Sequence, residues 1–232
     1  MSENIKKIMK AFMADLDSRE NQSIILKPST RPFNNQAHQV NEVAKKIYKL
    51  IEGTKHPNDD IILNHNEIKE AFFSPFEPQL KDAQVFLSHS HADKNKALKV
   101  KNYLESETNH RVFIDSLFWD YKDNVLNKLA KYDNTSKIKD AFVLILRESL
   151  QDMIEKCPYF VFLQSSNSVS NQGLSCTTYS AWIYEELKIA HSIRESRPTP
   201  MMESWQAFHD ISPFLENLET ITLKELSQQI NS

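Results

Sequence analysis

Glycine is nearly absent from this chain of 232 residues, which contains only Gly53 and Gly173. Phosphate-binding loops of the P-loop and GxGxxG types need several closely spaced glycines, because the loop backbone must approach the phosphate. Both loop types are therefore excluded. Any nucleotide that binds here must be held mainly by side chains and by helix N-termini, whose free N–H groups attract anions.

Cysteine, net charge and long apolar runs are also scarce. The two cysteines, Cys157 and Cys176, form neither a disulfide framework nor a CxxC pair, so we expect a reducing, cytoplasmic location. A net charge of -3 offers no basic surface for nucleic acid. No apolar run approaches the roughly 20 residues that span a bilayer. We therefore expect no nucleic acid and no membrane among the partners.

The first third of the chain shows the apolar spacing of helices. Apolar residues recur at intervals of three and four, which predicts one helix along Ile5–Leu16 and another along Val40–Ile51. A weaker pattern predicts a third helix over Ile61–Phe73. Two prolines then interrupt the chain, and prolines favour breaks between elements. We therefore expect a helical N-terminal region over residues 1–80.

After residue 80, short apolar runs alternate with amphipathic segments. We predict strands at Val85–Ser88, Arg111–Asp115, Tyr159–Gln164 and Leu218–Thr222, with a poorly marked strand near Met201. Helices are predicted at Asp93–Glu105, Asp123–Tyr132, Ala141–Cys157, Ser180–Arg194 and Leu223–Ile230. This alternation predicts an α/β domain over residues 81–232, with a parallel sheet and helices on both faces. In such sheets ligands bind beyond the carboxyl ends of the strands.

The first predicted strand ends in polar residues. Ser88, His89 and Ser90 stand at its carboxyl end, and Asp93 begins the following helix. Hydroxyl, imidazole and backbone N–H groups in this position can bind the ribose or the pyrophosphate of a nucleotide. The competing interpretation is structural, because serine and aspartate side chains also cap helices. The local sequence favours neither interpretation.

The same segment permits a metal hypothesis. His89-Ser-His91-Ala-Asp93 resembles the HxHxD motif of metallo-beta-lactamase-like hydrolases, and imidazoles with a carboxylate are good zinc ligands. Lys94, however, stands where that motif usually has another histidine, and that fold normally uses many glycines. We therefore expect no metal site.

The second predicted strand leads to two further candidates. Asp115 follows an apolar run, so we expect its side chain to point into the same crevice as the end of the first strand. Trp119 lies in the predicted loop beyond it, where an aromatic ring can stack on a base or cover the pocket. Packing under the helical region is the competing role, and it is slightly favoured for a single aromatic residue.

The sharpest candidate site is the helix predicted from Ser180. Trp182 and Glu186 are one turn apart and share a face, while Ile183 and Leu187 supply a neighbouring apolar face. We therefore expect Glu186 at the edge of the core, partly desolvated. Such a carboxylate can hold a ribose diol and stabilise the positive charge that develops when an N-glycosidic bond breaks. An amphipathic helix with a surface glutamate is the simpler interpretation of this segment alone.

Together these segments resemble a bacterial Toll/interleukin-1 receptor (TIR) domain. The resemblance rests on Val85–Asp93, Val112–Asp115, Tyr159–Leu163 and Ser180–Leu187, in this order and spacing. It covers about residues 82–194, roughly half of the chain. The fold that it implies is a flavodoxin-like three-layer sandwich, which agrees with the alternation of strands and helices.

The resemblance also implies a reaction. Such enzymes take NAD+ as a substrate rather than a cofactor. They cleave its nicotinamide–ribose bond and release nicotinamide with ADP-ribose or a cyclic ADP-ribose isomer. Glu186 matches the catalytic glutamate of the family. We expect the remaining candidates to bind NAD+: Ser88, His89, Ser90, Asp93, Asp115, Trp119 and Trp182.

Partners follow from the same resemblance. Bacterial relatives frequently serve in antiphage defence, where they deplete NAD+ or make a nucleotide signal that an effector protein reads. Assembly through TIR–TIR contacts usually activates them, so we expect a homo-oligomer. The alternative function is a TIR interaction module without catalytic activity, which recruits a partner through homotypic contacts.

Overall fold

The computed structural model describes residues 9–27, 45–50, 65–73, 82–130, 136–172, 175–195 and 209–232. Within it the chain forms two compact units. The first contains Met1–Phe33, Asp82–Asp115 and Gln151–Ser232, and the second contains Asn34–Lys81 and Ser116–Leu150.

The first unit is built on a parallel sheet of five strands, in the order β3-β2-β4-β1-β8. These strands are β1 (Lys10–Asp15), β2 (Ala83–His89), β3 (Arg111–Ile114), β4 (Tyr159–Gln164) and β8 (Glu219–Thr220). A second, antiparallel sheet is formed by β5 (Ser170–Gln172), β6 (Ser175–Thr178) and β7 (His209–Asp210).

Helices flank the parallel sheet, so the fold is the predicted α/β class, in keeping with a flavodoxin-like three-layer sandwich. The helices whose bounds the structure describes are α1 (Arg19–Ile25), α2 (His65–Phe73), α3 (Lys94–Thr108), α4 (Asp115–Leu129), α5 (Ser136–Lys156), α6 (Ala181–Glu195), α7 (Ser212–Leu215) and α8 (Leu223–Asn231). Helix α3 packs on β2, β3, α1 and α8, whereas α6 packs on β2, β6 and α7. No helix in this described part of the chain is long and apolar enough to cross a membrane.

The predicted helix along Ile5–Leu16 is wrong. Residues Lys10–Asp15 form β1, which pairs with β4 from Lys10 opposite Tyr159 to Asp15 opposite Gln164. A central parallel strand is covered on both faces, so it is apolar almost throughout. Such a short run matches a helical spacing as well as a strand.

The position of β1 also changes the predicted domain division. Strand β1 lies between β4 and β8, so the N-terminal segment is part of the α/β unit rather than of a separate helical region over residues 1–80. A flavodoxin-like sheet has the order 2-1-3-4-5. Counted from β2, this sheet has the same order, except that the fourth position is filled by the first strand of the chain. The strand expected near Met201 lies outside the described residues.

The apolar runs of β2, β3 and β4 were predicted as strands, and this is confirmed. Their side chains form the centre of the core, with Phe86 stacked between Phe113 and Phe160 at centroid separations of 5.8 and 5.9 Å. Helix α3 is followed by Asn109, which adopts the left-handed conformation (φ 55°) that asparagine tolerates at a helix end. The chain can therefore turn directly into β3.

The described residues of the second unit are helical, apart from Ala130 in a turn. Residues 45–50 and α2 agree with the helices predicted over Val40–Ile51 and Ile61–Phe73, although the flanking residues lie outside the described part. Most of α4 and the first part of α5 belong to this unit. Helix α4 begins at Asp115, eight residues before the predicted start, so Trp119 lies in a helix and not in a loop.

Candidate active site

The carboxyl edge of the parallel sheet brings three of the predicted site residues together. Ser88 and His89 are the last two residues of β2, and Asp115 directly follows β3, the neighbour of β2. All three are buried. The chain leaves β2 towards β3 on one side, while β4 lies on the other side. This reversal is where ligands bind in open parallel sheets.

His89 and Asp115 form a buried charge pair. The distance from His89 Nδ1 to Asp115 Oδ1 is 2.7 Å, and the two side chains are 0% and 5% exposed. The contact has the distance of an ion pair without the alignment of a good hydrogen bond. Burial by itself lowers the pKa of His89, but the Asp115 carboxylate raises it, and the net shift is upward. The pair therefore favours an imidazolium facing a carboxylate.

Glu186 completes this group from the other side. Helix α6 packs on β2 and carries Glu186 inward, where its side chain is fully buried beside Ser88 and Asp115. Burial raises the pKa of Glu186 well above its ordinary 4.5, and the nearby Asp115 charge raises it further, while Ser88 acts in the opposite direction. We expected a partly desolvated carboxyl group, and the structure places it completely inside.

The lack of hydrogen bonds to Glu186 acts in the same direction as its burial. Within the described part of the chain, neither carboxyl oxygen of Glu186 has a hydrogen bond of good geometry, and the same holds for Ser88 Oγ. An ionised carboxylate in such surroundings loses its hydration without receiving donors in return, which is costly. A neutral carboxylic acid is the form that this environment favours.

The start of α6 positions this carboxyl group. Ser180 Oγ accepts a hydrogen bond of 3.2 Å from the Ile183 N–H, as expected for the residue that caps the helix. Ile183 and Leu187 are buried and seat the helix on the sheet. Trp182 is half-buried one turn before Glu186. The predicted face of this helix is therefore present, but Glu186 lies deeper than Trp182.

A second polar group, the Asp93 cluster, lies at the same edge of the sheet. It consists of Asp17 after β1, Asp93 and Lys96 after β2, and Ser165 and Asn167 after β4. Asp93 accepts hydrogen bonds from the Ser165 hydroxyl and from Asn167 Nδ2, the latter at 2.9 Å. Lys96 Nζ lies 3.5 Å from Asp93 and 3.0 Å from Asp17. These contacts hold the ends of three strands together.

This cluster corrects one interpretation and adds residues that were missed. Asp93 precedes α3 but makes no side-chain cap to it, because its carboxylate is directed to the loop after β4. Asp17 was missed because the preceding strand was interpreted as a helix, which hid its place at a strand end. Ser165 and Asn167 carry no local signal, since Asp93 is 72 and 74 residues away from them. Lys96 is three residues from Asp93, but its other partner, Asp17, is 79 residues away.

The other predicted candidates are placed less decisively. Ser90 is half-buried and makes no side-chain cap to the 3-10 turn His91–Asp93 that follows it. The side chain of Trp119 is outside the described part of the structure. His91 is exposed while His89 is buried against Asp115. Among the described residues there is no group of three or more His, Cys, Asp or Glu arranged to hold a metal ion.

Comparisons with protein-family models, with curated proteins and with solved structures found no match to this chain. The chemistry of the site therefore rests on its own geometry. It offers an enclosed acid beside an ion pair, at the edge of a parallel sheet where ligands bind.

Proposed function

We propose that this protein is an NAD+ nucleosidase, which cleaves the nicotinamide–ribose bond to give nicotinamide and either ADP-ribose or a cyclic ADP-ribose isomer. One observation carries this proposal: Glu186 is a fully buried carboxyl group at the carboxyl edge of β2 and β3, beside Ser88 and Asp115. The proposal also draws on the resemblance of the surrounding segments to TIR domains.

The reaction needs a carboxylate beside the sugar. When nicotinamide departs with the electrons of the glycosidic bond, positive charge develops on the ribose ring, as in other glycoside cleavages. A carboxylate in a water-poor site stabilises this charge more than one in water does. Glu186 fulfils this role once it has lost its proton to solvent. The positive charge of the nicotinamide ring favours that loss when NAD+ lies against the carboxyl group.

The substrate must displace whatever covers Glu186, since its side chain is 0% exposed. In the proposal, self-assembly through TIR–TIR contacts opens the site and activates the enzyme. Ser88 and Ser90 then offer hydroxyl groups to the ribose or pyrophosphate, and Trp182 contributes an aromatic face. Asp93 supports the loop after β4 and does not contact the ligand.

The biological setting of this proposal is bacterial antiphage defence in the cytoplasm. NAD+ depletion, or a product read by an effector protein, would carry the signal. Neither Cys157 nor Cys176 is in a disulfide, which supports a reducing compartment.

The enclosure of Glu186 also favours a second candidate function, a non-catalytic interaction module that acts by homotypic assembly. A neutral, buried glutamic acid that is never uncovered is only a part of the core. This candidate predicts no release of nicotinamide in any assembly state, and loss of signalling from changes at the surface rather than at Glu186.

Chromatography of an NAD+ incubation tests the proposal and identifies the product. We expect wild-type protein, concentrated or triggered to assemble, to release nicotinamide, and Glu186→Gln to reduce the rate on the order of 100-fold or more, as for other removed transition-state contacts. Glu185→Gln is the matched control, because this neighbouring glutamate pairs with Lys188 at 3.7 Å instead. It should keep the wild-type rate. Undiminished turnover by Glu186→Gln contradicts the proposal.

A further inference from the structure

Three ionisable side chains from three elements meet in the interior of the first unit. His89 comes from β2, Asp115 follows β3, and Glu186 comes from α6. His89 and Asp115 are 2.7 Å apart, and all three are buried. A buried group of two acids and one base can balance its charge only if one acid keeps its proton.

We infer that His89 and Asp115 are positioning residues for Glu186: the imidazolium of His89 holds the Asp115 carboxylate, and that carboxylate keeps the proton on Glu186 in the resting protein. The inference rests on the proposed function and deepens it. It replaces the expectation that His89 and Asp115 bind NAD+ directly, because the two side chains contact each other and act on the carboxyl group of Glu186.

The charge balance identifies Glu186 as the acid that stays neutral. Asp115 has a cationic partner at ion-pair distance, whereas Glu186 has none within the described residues. The nearest lysine on the same helix, Lys188, lies 3.7 Å from Glu185 and 5.5 Å from the centre of the Tyr184 ring. Ionised Glu186 would thus add a second, uncompensated negative charge next to Asp115.

Within the described part of the chain, the elements that contact α6 contribute few titratable side chains. Strand β2 contributes His89 and strand β6 contributes the Cys176 thiol, whereas α7 has no titratable side chain. Strand β7 contributes an exposed Asp210 and His209, whose ring stacks on Tyr184 of α6 at 4.6 Å. Asp115 raises the pKa of Glu186 in addition to the effect of burial, and Asp93 acts on His89 rather than on Glu186. Burial and Asp115 therefore favour the protonated form of Glu186, against the opposing effect of Ser88.

This arrangement gives the site a preference for a cation. The His89–Asp115 pair is neutral as a whole, so among these three side chains Glu186 is the one whose charge changes when a ligand arrives. A cationic nicotinamide ring favours release of the Glu186 proton to water, leaving a carboxylate against the sugar. A neutral dihydronicotinamide ring does not favour it. NAD+ should therefore bind with release of a proton, and NADH without it.

Infrared titration of the carboxyl groups tests the inference without any substrate. We expect wild-type protein at neutral pH to show the C=O band of a protonated carboxylic acid, and Glu186→Gln to lack it. In Asp115→Asn the titration of this band should move to lower pH by at least about one unit, because a negative neighbour has been removed. In His89→Gln it should not move to lower pH. Glu185→Gln should keep the wild-type titration.

Two results would overturn the inference. One is the finding that Glu186 of the wild-type protein is already ionised at neutral pH. The other is an unchanged titration in a folded Asp115→Asn protein, with folding checked by circular dichroism. If Asp115→Asn does not fold, His89→Gln decides instead: a midpoint lower than that of the wild type would contradict the inference.

The same variants separate this inference from the proposed function. We expect the pH profile of kcat/KM for nicotinamide release to move to lower pH in Asp115→Asn, together with the infrared titration. A purely structural Asp115 would lower activity without moving the profile. If the band titrates as expected but NAD+ is never cleaved, the proposed function fails. If cleavage requires Glu186 but its carboxyl group is ionised at rest, only the inference fails.

Discussion

Two acidic groups lie at the same edge of one sheet, and they differ in how their polar atoms are satisfied. Asp93 accepts two side-chain hydrogen bonds and faces Lys96. Glu186 is equally buried, yet its carboxyl oxygens have no well-formed hydrogen bond within the described part of the chain. A buried carboxylate whose hydrogen bonds are satisfied stabilises a fold, whereas a buried carboxylate without hydrogen bonds destabilises it. This difference is our reason for proposing that Asp93 is a structural residue and Glu186 the functional one.

The largest effect on stability is expected at Asp93. In Asp93→Ala, the side chains of Ser165 and Asn167 lose their buried acceptor and Lys96 loses one of its two carboxylates. Stranded polar groups of this kind cost about 3 kcal/mol in total. Urea denaturation of the variant against wild type measures this loss. A loss below about 1 kcal/mol would show that the hydrogen bonds of Asp93 contribute little stability, and the contrast with Glu186 would then fail.

The second effect is expected at Glu186, where a substitution should raise the stability of the protein instead of lowering it. Because the pKa of Glu186 is raised above 4.5 in the folded protein, the folded state holds this proton more tightly than the unfolded state does. The stability that Glu186 contributes is therefore complete below about 4.5 and is lost as the pH rises through the folded pKa. Glu186→Gln cannot ionise, so it should become more stable than wild type by up to about 1.4 kcal/mol for each pH unit in this window.

Thermal melting across a pH series measures the gap between Glu186→Gln and wild type. The pKa of His89 is also raised, so its own contribution is lost as the pH rises through the folded pKa of the imidazole. That contribution is common to both proteins and leaves the gap unaffected. If the melting temperatures of the two proteins change in parallel with pH, the pKa of Glu186 is not raised in the folded protein.

The smallest effect is expected at Lys96, which is 34% exposed between Asp93 and Asp17. Hydrogen bonding to Asp17 raises the pKa of Lys96, but solvent and salt screen so exposed a pair. Lys96→Met should cost about 1 kcal/mol or less, with the cost shrinking in high salt. Denaturation at two ionic strengths checks this. If the variant loses more stability than this, and the loss does not depend on salt, then Lys96 is the main partner of Asp93, and not the Ser165 hydroxyl and the Asn167 amide.

Several elements could be predicted because their signals are local. Strands β2, β3 and β4 are continuous apolar runs bounded by polar residues, which is typical of buried parallel strands. The start of α6 follows from Ser180, whose hydroxyl group caps the helix. We expected Glu186 to be only partly buried. Its complete burial depends on the packing of α6 against β2, which comes from a distant part of the chain.

Other elements have no local signal. Strands β5, β6 and β7 are two to four residues long and exist only through their pairing with one another. Strand β1 has an apolar spacing that fits both a helix and a strand, and the register with β4 decides between them. The partners of Asp93 come from another loop, so the carboxylate could be taken for a helix cap.

By itself the sequence determined which residues are apolar, where the chain breaks, and that no glycine-rich phosphate loop exists. These properties depend on neighbouring residues and on side-chain chemistry, so they can be read along the chain. Only the tertiary structure decided that β1 lies inside the sheet between β4 and β8, that Asp93 is fully hydrogen-bonded, and that Glu186 is buried beside Asp115. Desolvation and charge proximity depend on distances in space between residues far apart along the chain.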